Sequence, residues 1–217
     1  MADDLQRLAL DARAVAAARL STAFWTAVAW LRLRAHGARI GRGLRVRGPL
    51  RLRCHRTATI AIGRGCRIQS GFGGNAVGGN GRMALWLGAG AVLTIGDHVG
   101  MSNATIVCLR AVIIGDGALV GGDCRIYDTD FHSLDAAERA RPGNPGVRRA
   151  PVTIGPRAFL GGHAILLKGA AVGAEAVVGA GAVVRGVVPA GEVWAGNPAV
   201  PLRRPRSVGR APLEAVR

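Results

Sequence analysis

The stretch IYDTDFHSLD, residues 126–135, brings Asp128, Asp130 and His132 together at alternate positions. Along a strand, alternation puts the three on one side. Histidine exchanges a proton near working pH, its reference pKa being ~6.5, so it suits removal of a proton from an attacking hydroxyl. A neighbouring carboxylate can fix its tautomer and stabilise its charged form. Asp130 and Asp128 both lie close enough to serve, and both are also ordinary turn formers. A lone histidine is more often structural, so the elements that carry this stretch decide what it can do.

Those elements are repeats of six. From Ile154 the chain reads IGPRAF, LGGHAI, LLKGAA, VGAEAV, VGAGAV, VRGVVP. The first position is always Ile, Leu or Val, and the fifth is Ala158, Ala164, Ala170, Ala176, Ala182 and Val188. The frame returns upstream as IGDHVG, MSNATI, VCLRAV from Ile95 and, after one extra residue, as IGDGAL, VGGDCR, IYDTDF from Ile114. Weaker copies begin at Ile40 and Ile62. A period of six belongs to neither an α-helix nor an amphipathic strand; it predicts an all-β solenoid. Each unit supplies a short strand and a turn, and three units make a triangular coil whose aliphatic residues sit over their equivalents in the next coil. His98 and His163 fall at fourth positions, which point outward at corners, while His36 and His55 lie in an arginine-rich segment. His132 alone follows the last hexad before the pattern stops. Residues 133–151 then form an excursion loop, and long loops in compact folds are commonly functional.

The hexad run and the closing VVPAGEVWAGNPAVPLRR resemble the hexapeptide-repeat acyltransferases, over roughly residues 37–203. DTDFHSLD is similar to the active-site segment of their sugar and exopolysaccharide O-acetyltransferases. The resemblance implies a left-handed parallel β-helix, acetyl-CoA as acyl donor with no metal requirement, a sugar or glycan hydroxyl as acceptor, and His132 as general base. Asn103, in MSNATIV, resembles an acceptor-side asparagine, although a turn asparagine at a corner would look the same. Phe159, Gly162 and Ala180 match positions along which the coenzyme arm lies, and Arg203 matches a basic residue near the phosphates. Two departures stand out: many members carry Trp where Phe159 stands, and Gly186 replaces a lysine. Lys168 and the arginines at 203, 204 and 206 are the candidates to compensate. The resemblance further implies a homotrimer, with the 133–151 loop walling a cleft between subunits and His132 facing coenzyme held against the adjacent chain. N-acylation of a nucleotide-linked amino sugar is the nearest alternative. A γ-type carbonic anhydrase and a non-enzymatic scaffold are more remote.

The chain has 217 residues, 33 of them glycine, and only 4% aromatics, which suits a repetitive interior of small residues. Cys54, Cys66, Cys108 and Cys124 show no metal or redox spacing, and Cys66 and Cys124 fall where other hexads place Ala or Val. Residues 1–36 differ in composition. Leu5, Leu8, Ala12, Val15, Ala16, Arg19, Leu20, Ala23 and Ala27 approximate helical spacing, with Phe24, Trp25 and Trp30 widening the apolar face. This predicts a helix that caps the first coil, or an interfacial anchor. Nine arginines lie between Arg32 and Arg56, and the net charge is +16. Without interleaved aromatics or a reader motif, nucleic acid is not expected as partner. A solvated strand face or a membrane surface contacted through residues 1–56 remains. No apolar run is long enough to span a membrane, and no basic n-region opens the chain. A cytoplasmic location, peripheral at the inner face of the membrane, is the expectation. Residues 204–217 read as a tail.

Overall fold

The computed structural model describes residues 2–71, 81–143 and 145–202. Its strands form three sheets in which each strand pairs with the one three places on in sequence, parallel throughout until the final strand. The first sheet stacks Arg39–Ile40, Thr59–Ile62, Val92–Ile95, Ala111–Ile114, Val152–Ile154, Ala171–Val172 and Val187–Val188. The second runs from Arg45–Arg47 through Gly100–Ser102 and Phe159–Leu160 to Val193–Ala195, closed by the antiparallel Val200–Pro201. The third carries Thr105–Cys108, Arg125–Tyr127 and Ile165–Leu166 among its six strands. Such an order requires the chain to wind through the three sheets in turn, as a three-sided parallel solenoid.

Register follows the hexads. Ile114 pairs with Ile154, which pairs with Val172, which pairs with Val188. All four are buried, as are Ala158, Ala164, Ala170, Ala176 and Ala182. Small residues predominate at the fifth position, where the chain turns back into the narrow interior; the larger Leu44 and Val99 take it only in the earlier coils. Stacking of the coils at strand spacing, ~4.8 Å, governs the glycines that follow the aliphatic position. A Cβ on Gly115 would meet Pro156 N at 2.6 Å, and one on Gly155 would meet Ala174 N at 2.5 Å.

Two stretches depart from the expected frame. In VRGVVP, Val188 is not a fifth-position residue: it stands in the aliphatic column, paired with Val172, two places earlier than a strict period of six from Val184 would put it. In MSNATI–VCLRAV the column residue is Ile106, paired with Leu85 and Ile126, and not Val107. The buried small residue is Ala104, and not Thr105. Asn103 takes a left-handed φ of 48° directly before Ala104, where other coils use Asp123 or His163 after two glycines. The corner is therefore one residue shorter, and the frame slips by one.

Buried Cys66 and Cys124 occupy fifth positions. Burial pushes the Cys124 thiol up to about 11. Burial, with the Asp128 carboxylate adding to it, pushes that of Cys108 up to about 12. Both thiols stay protonated at neutral pH and so are poor nucleophiles.

Helix α1 spans Ala2–Ala35 and packs on the outer edge of the first coil. That edge exposes strand backbone, which the helix meets with a hydroxyl: Val46 N donates to Thr26 Oγ1 at 2.9 Å, and Arg32 donates to Leu50 O at 2.8 Å. The packed face carries Thr22, Thr26, Ala29 and Leu33, the last two buried. The face expected from apolar spacing is thus not the packed one. Leu20, Ala23 and Ala27 are exposed, as are Phe24 and Trp30, because an unpaired strand edge selects a donor–acceptor partner over a purely apolar one.

Candidate active site

The excursion leaves the solenoid after strand Arg125–Tyr127 and rejoins it at Val152. Its two ends form a short antiparallel ribbon: Thr129 bridges Arg149, Asp130 N donates to Arg148 O, and Ala150 N donates to Asp128 O. Inside, Asp135 caps helix α2 (Ala136–Arg139), accepting from Ala137 N and Glu138 N. Buried Ser133 donates to Glu138 at 2.7 Å, and Arg139 donates to the carbonyls of Ser133 and Leu134. The loop is therefore internally braced, which its sequence does not announce.

At the foot of this ribbon stands His132. Phe131 adopts φ 63°, a region in which bulky residues are strained. Its ring meets Tyr127 edge-to-face at 5.2 Å. His132 N donates back to Asp130 O at 2.7 Å, closing a three-residue turn that leaves His132 exposed. Strain of this kind concentrates at functional sites.

The two aspartates have different occupations. Asp128 is fully buried, and its two carboxylate oxygens accept Leu109 N at 2.8 Å and Arg110 N at 2.6 Å. It clamps the corner of the preceding coil, which argues against Asp128 as the partner of His132. Asp130 Oδ1 lies 2.6 Å from Lys168 Nζ, in a largely shielded ion pair. Its Oδ2 is buried with no hydrogen-bond partner among the described residues. Lys168, expected to help hold coenzyme phosphates, is instead committed to this aspartate. The available signal was composition: Lys168 is the sole lysine beside 28 arginines, and a compact ammonium suits a tight point-charge contact better than a guanidinium.

The coenzyme candidates lie elsewhere on the chain. Phe159 sits on the second sheet, 43% exposed, and flanks a shallow groove of about 280 Å³ with Leu119 and Arg67. Gly162 and exposed Ala180 form the corner between the second and third sheets, with Gly181 beside them open to solvent. Side chains this small leave room for a long, narrow ligand against the backbone. Asn103 turns the same corner farther up; it is buried, and its Oδ1 accepts from Gly71 N at 2.7 Å. Its observed work is that of a corner residue. His132, Asp130 and Lys168 occupy the opposite edge of the third sheet, so one chain does not bring the two groups together. Arg203 and the tail 204–217 lie outside the described residues. His98 and His163 have φ of 58° and 62°, on two different corners, and His163 Nδ1 lies 3.4 Å from Asp123.

Comparison with known proteins places this geometry in context. Residues 151–185 match the family model described as the hexapeptide repeat of succinyl-transferase. The chain is 33% identical over 134 residues to a putative lipopolysaccharide biosynthesis O-acetyl transferase, WbbJ, of Escherichia coli, covering 59% of this chain and 68% of that one. It is 43% identical over 110 residues to nodulation protein L of Rhizobium leguminosarum bv. viciae, covering 51% and 54%. A hexapeptide-repeat acetyltransferase of Vibrio cholerae, solved with acetyl coenzyme A, superposes with a TM-score of 0.50 at 26% identity, covering 81% of this chain and 74% of that one. The chain spans only 35% and 47% of the length of two further curated relatives, from Mycobacterium tuberculosis and Schizosaccharomyces pombe. On its repeat, its three-sheet winding and its match to most of the Escherichia coli protein, the chain belongs to the hexapeptide-repeat acyltransferases.

Proposed function

We propose that the protein is an acetyl-CoA-dependent O-acetyltransferase acting on a hydroxyl of a sugar or glycan, with His132 as general base. The observation that carries this reading is the turn at Phe131, in which His132 N donates back to Asp130 O and the imidazole is left exposed, two residues from an aspartate already paired on one oxygen. The residues at the second corner fit a coenzyme arm: Gly162, Ala180 and Gly181 offer no bulk, and Phe159 gives an apolar flank. When bound there, the thioester supplies the acetyl group. His132 takes the acceptor's hydroxyl proton as attack proceeds and returns it to the departing thiolate. Asp130 is the positioning residue: its charge is balanced by Lys168, and its second oxygen, which has no hydrogen-bond partner among the described residues, is the one the imidazole N–H would use once the acceptor is bound. Asn103 has a minor place here: its part in acceptor binding is secondary to its turn, since it is buried and its Oδ1 already accepts from Gly71 N.

The family also supports a left-handed winding of the coils and a homotrimer. In one chain the base and the coenzyme corner lie at opposite edges of a sheet, so a complete site needs the base of one subunit beside the corner of the next. We expect activity to elute only with a species of three times the 22.4 kDa chain mass. Light scattering on the active fraction, assayed with acetyl-CoA and a panel of sugars, nucleotide sugars and oligosaccharides, tests both points. Release of free CoA with an ester product supports the reading. An amide product would move it to N-acylation, release from a single-chain species would remove the shared site, and no release with any acceptor would leave a scaffold.

A further inference from the structure

Between Ala12 and Gly96 the chain contains fourteen arginines and no aspartate or glutamate. This stretch includes most of α1 and the first coils, so one end of the solenoid is strongly cationic, although Arg64 is paired with Asp97 of the following coil. The other ten acidic residues beyond Asp3, Asp4 and Asp11 begin only at Asp97.

On that cationic end, α1 is apolar on the side it does not use for packing. At 3.6 residues per turn, Leu20, Phe24 and Leu31 fall within about 40° of one another, roughly opposite Thr22, Thr26 and Leu33. They are 73%, 59% and 62% exposed. A helix apolar on both faces is normally covered on both, and exposed apolar residues clustered in this way mark an interaction surface. Beside them, the helix flank and first coil enclose an open groove of about 1270 Å³, apolar along Ala23, Ala27 and Trp30 and rimmed by Arg42, Arg45 and Arg47.

We infer that this end of the molecule docks on an anionic phospholipid surface, with α1 lying in the plane of the interface. Leu20, Phe24 and Leu31 enter the acyl boundary, and the arginines of the first coil engage lipid phosphates. Apolar side chains with a basic border are the composition of interfacial helices. The alternative cover, a second copy of the same face, would set two arginine-rich surfaces against each other, the acidic residues of α1 being confined to its first turns at Asp3, Asp4 and Asp11, and like charges so placed repel. No helix among the described residues is long and apolar enough to cross a membrane, so the contact is peripheral. The inference concerns where the protein works and stands apart from the acyl-transfer reading.

The test is co-sedimentation of the full chain with vesicles of phosphatidylglycerol mixed with phosphatidylcholine, against phosphatidylcholine alone. We expect binding to the anionic vesicles only. It should weaken as salt is raised from physiological strength to 1 M, where the screening length falls from about 8 to about 3 Å. Replacing Arg42, Arg45 and Arg47 together by Gln should weaken binding by roughly 100-fold, since each cation near such a surface contributes about a fivefold factor. Replacing Leu20, Phe24 and Leu31 by Ser should weaken it by roughly tenfold or more, with thermal melts and solution mass unchanged because these side chains hold nothing inside the protein. Equal binding to neutral vesicles, no binding to anionic ones, or both variants binding as the parent does would overturn the inference. So would a drop in mass for the serine variant, which would make the face a contact between copies.

Discussion

His132→Ala should lower kcat by roughly 10²–10⁴-fold, the range for loss of a positioned general base. Coenzyme binding should persist, because the proposed cradle at Phe159, Gly162 and Ala180 lies at the other edge of the third sheet. Fold and melting temperature should barely change, since the ring is exposed and the turn's hydrogen bond is made by the backbone of His132 to Asp130 O. Rate in the parent should fall in acid, because a protonated imidazole cannot accept the hydroxyl proton. That acid limb should vanish in the alanine variant, leaving a low, flat profile. Asp130→Asn is the discriminating companion. A neutral amide keeps the shape but supports a charged imidazole less and leaves the Lys168 ammonium without its counter-charge, 2.6 Å away. It should lose part of the rate with the acid limb retained. Normal turnover by His132→Ala with the natural acceptor would reduce His132 to a loop residue, and another group would have to take the proton.

Much of the architecture was legible because a solenoid writes one spatial constraint many times. Ile154, Val172 and Val188 share a column, and each had to be aliphatic for the same reason. Where the constraint is local and met once, the pattern misleads. Asn103 shortens a corner, so the frame from Thr105 to Ala111 slips although its composition looks regular. Apolar spacing along α1 points to one face, yet the face it buries is set by the backbone of Val46, which donates to Thr26. At the site, alternation kept both Asp128 and Asp130 in view and could not separate them, and the strand on which it relies ends at Tyr127, before either aspartate. What separates them is the partner, the amides of Leu109 and Arg110 for one and Lys168 for the other. Those partners lie eighteen to thirty-eight positions away in sequence, and only stacking of coils brings them near.

The second large effect is on the stack itself. Val178 is fully buried, over Leu160 on one side and under Trp194 on the other. Val178→Asp would place a carboxylate between the apolar side chains of Leu160 and Trp194. A buried charge without a partner costs far more than a lost methyl group, and in a solenoid each coil is held only by its neighbours. We expect loss of the folded stack, or a melt lowered beyond that of any substitution in the 133–151 loop. Ala176→Leu probes the same interior by volume alone. Ala176 has no exposed surface, and overfilling a packed core costs typically about 1–3 kcal/mol, with each kcal/mol lowering Tm by roughly 2–4 °C in a chain of this size. Arg141→Ala, on the exposed outer part of the loop, should stay within about 0.5 kcal/mol of the parent. The ordering Val178→Asp, then Ala176→Leu, then Arg141→Ala follows from inward packing at first and fifth positions. Melts unchanged for the first two would mean that those positions do not face a common interior.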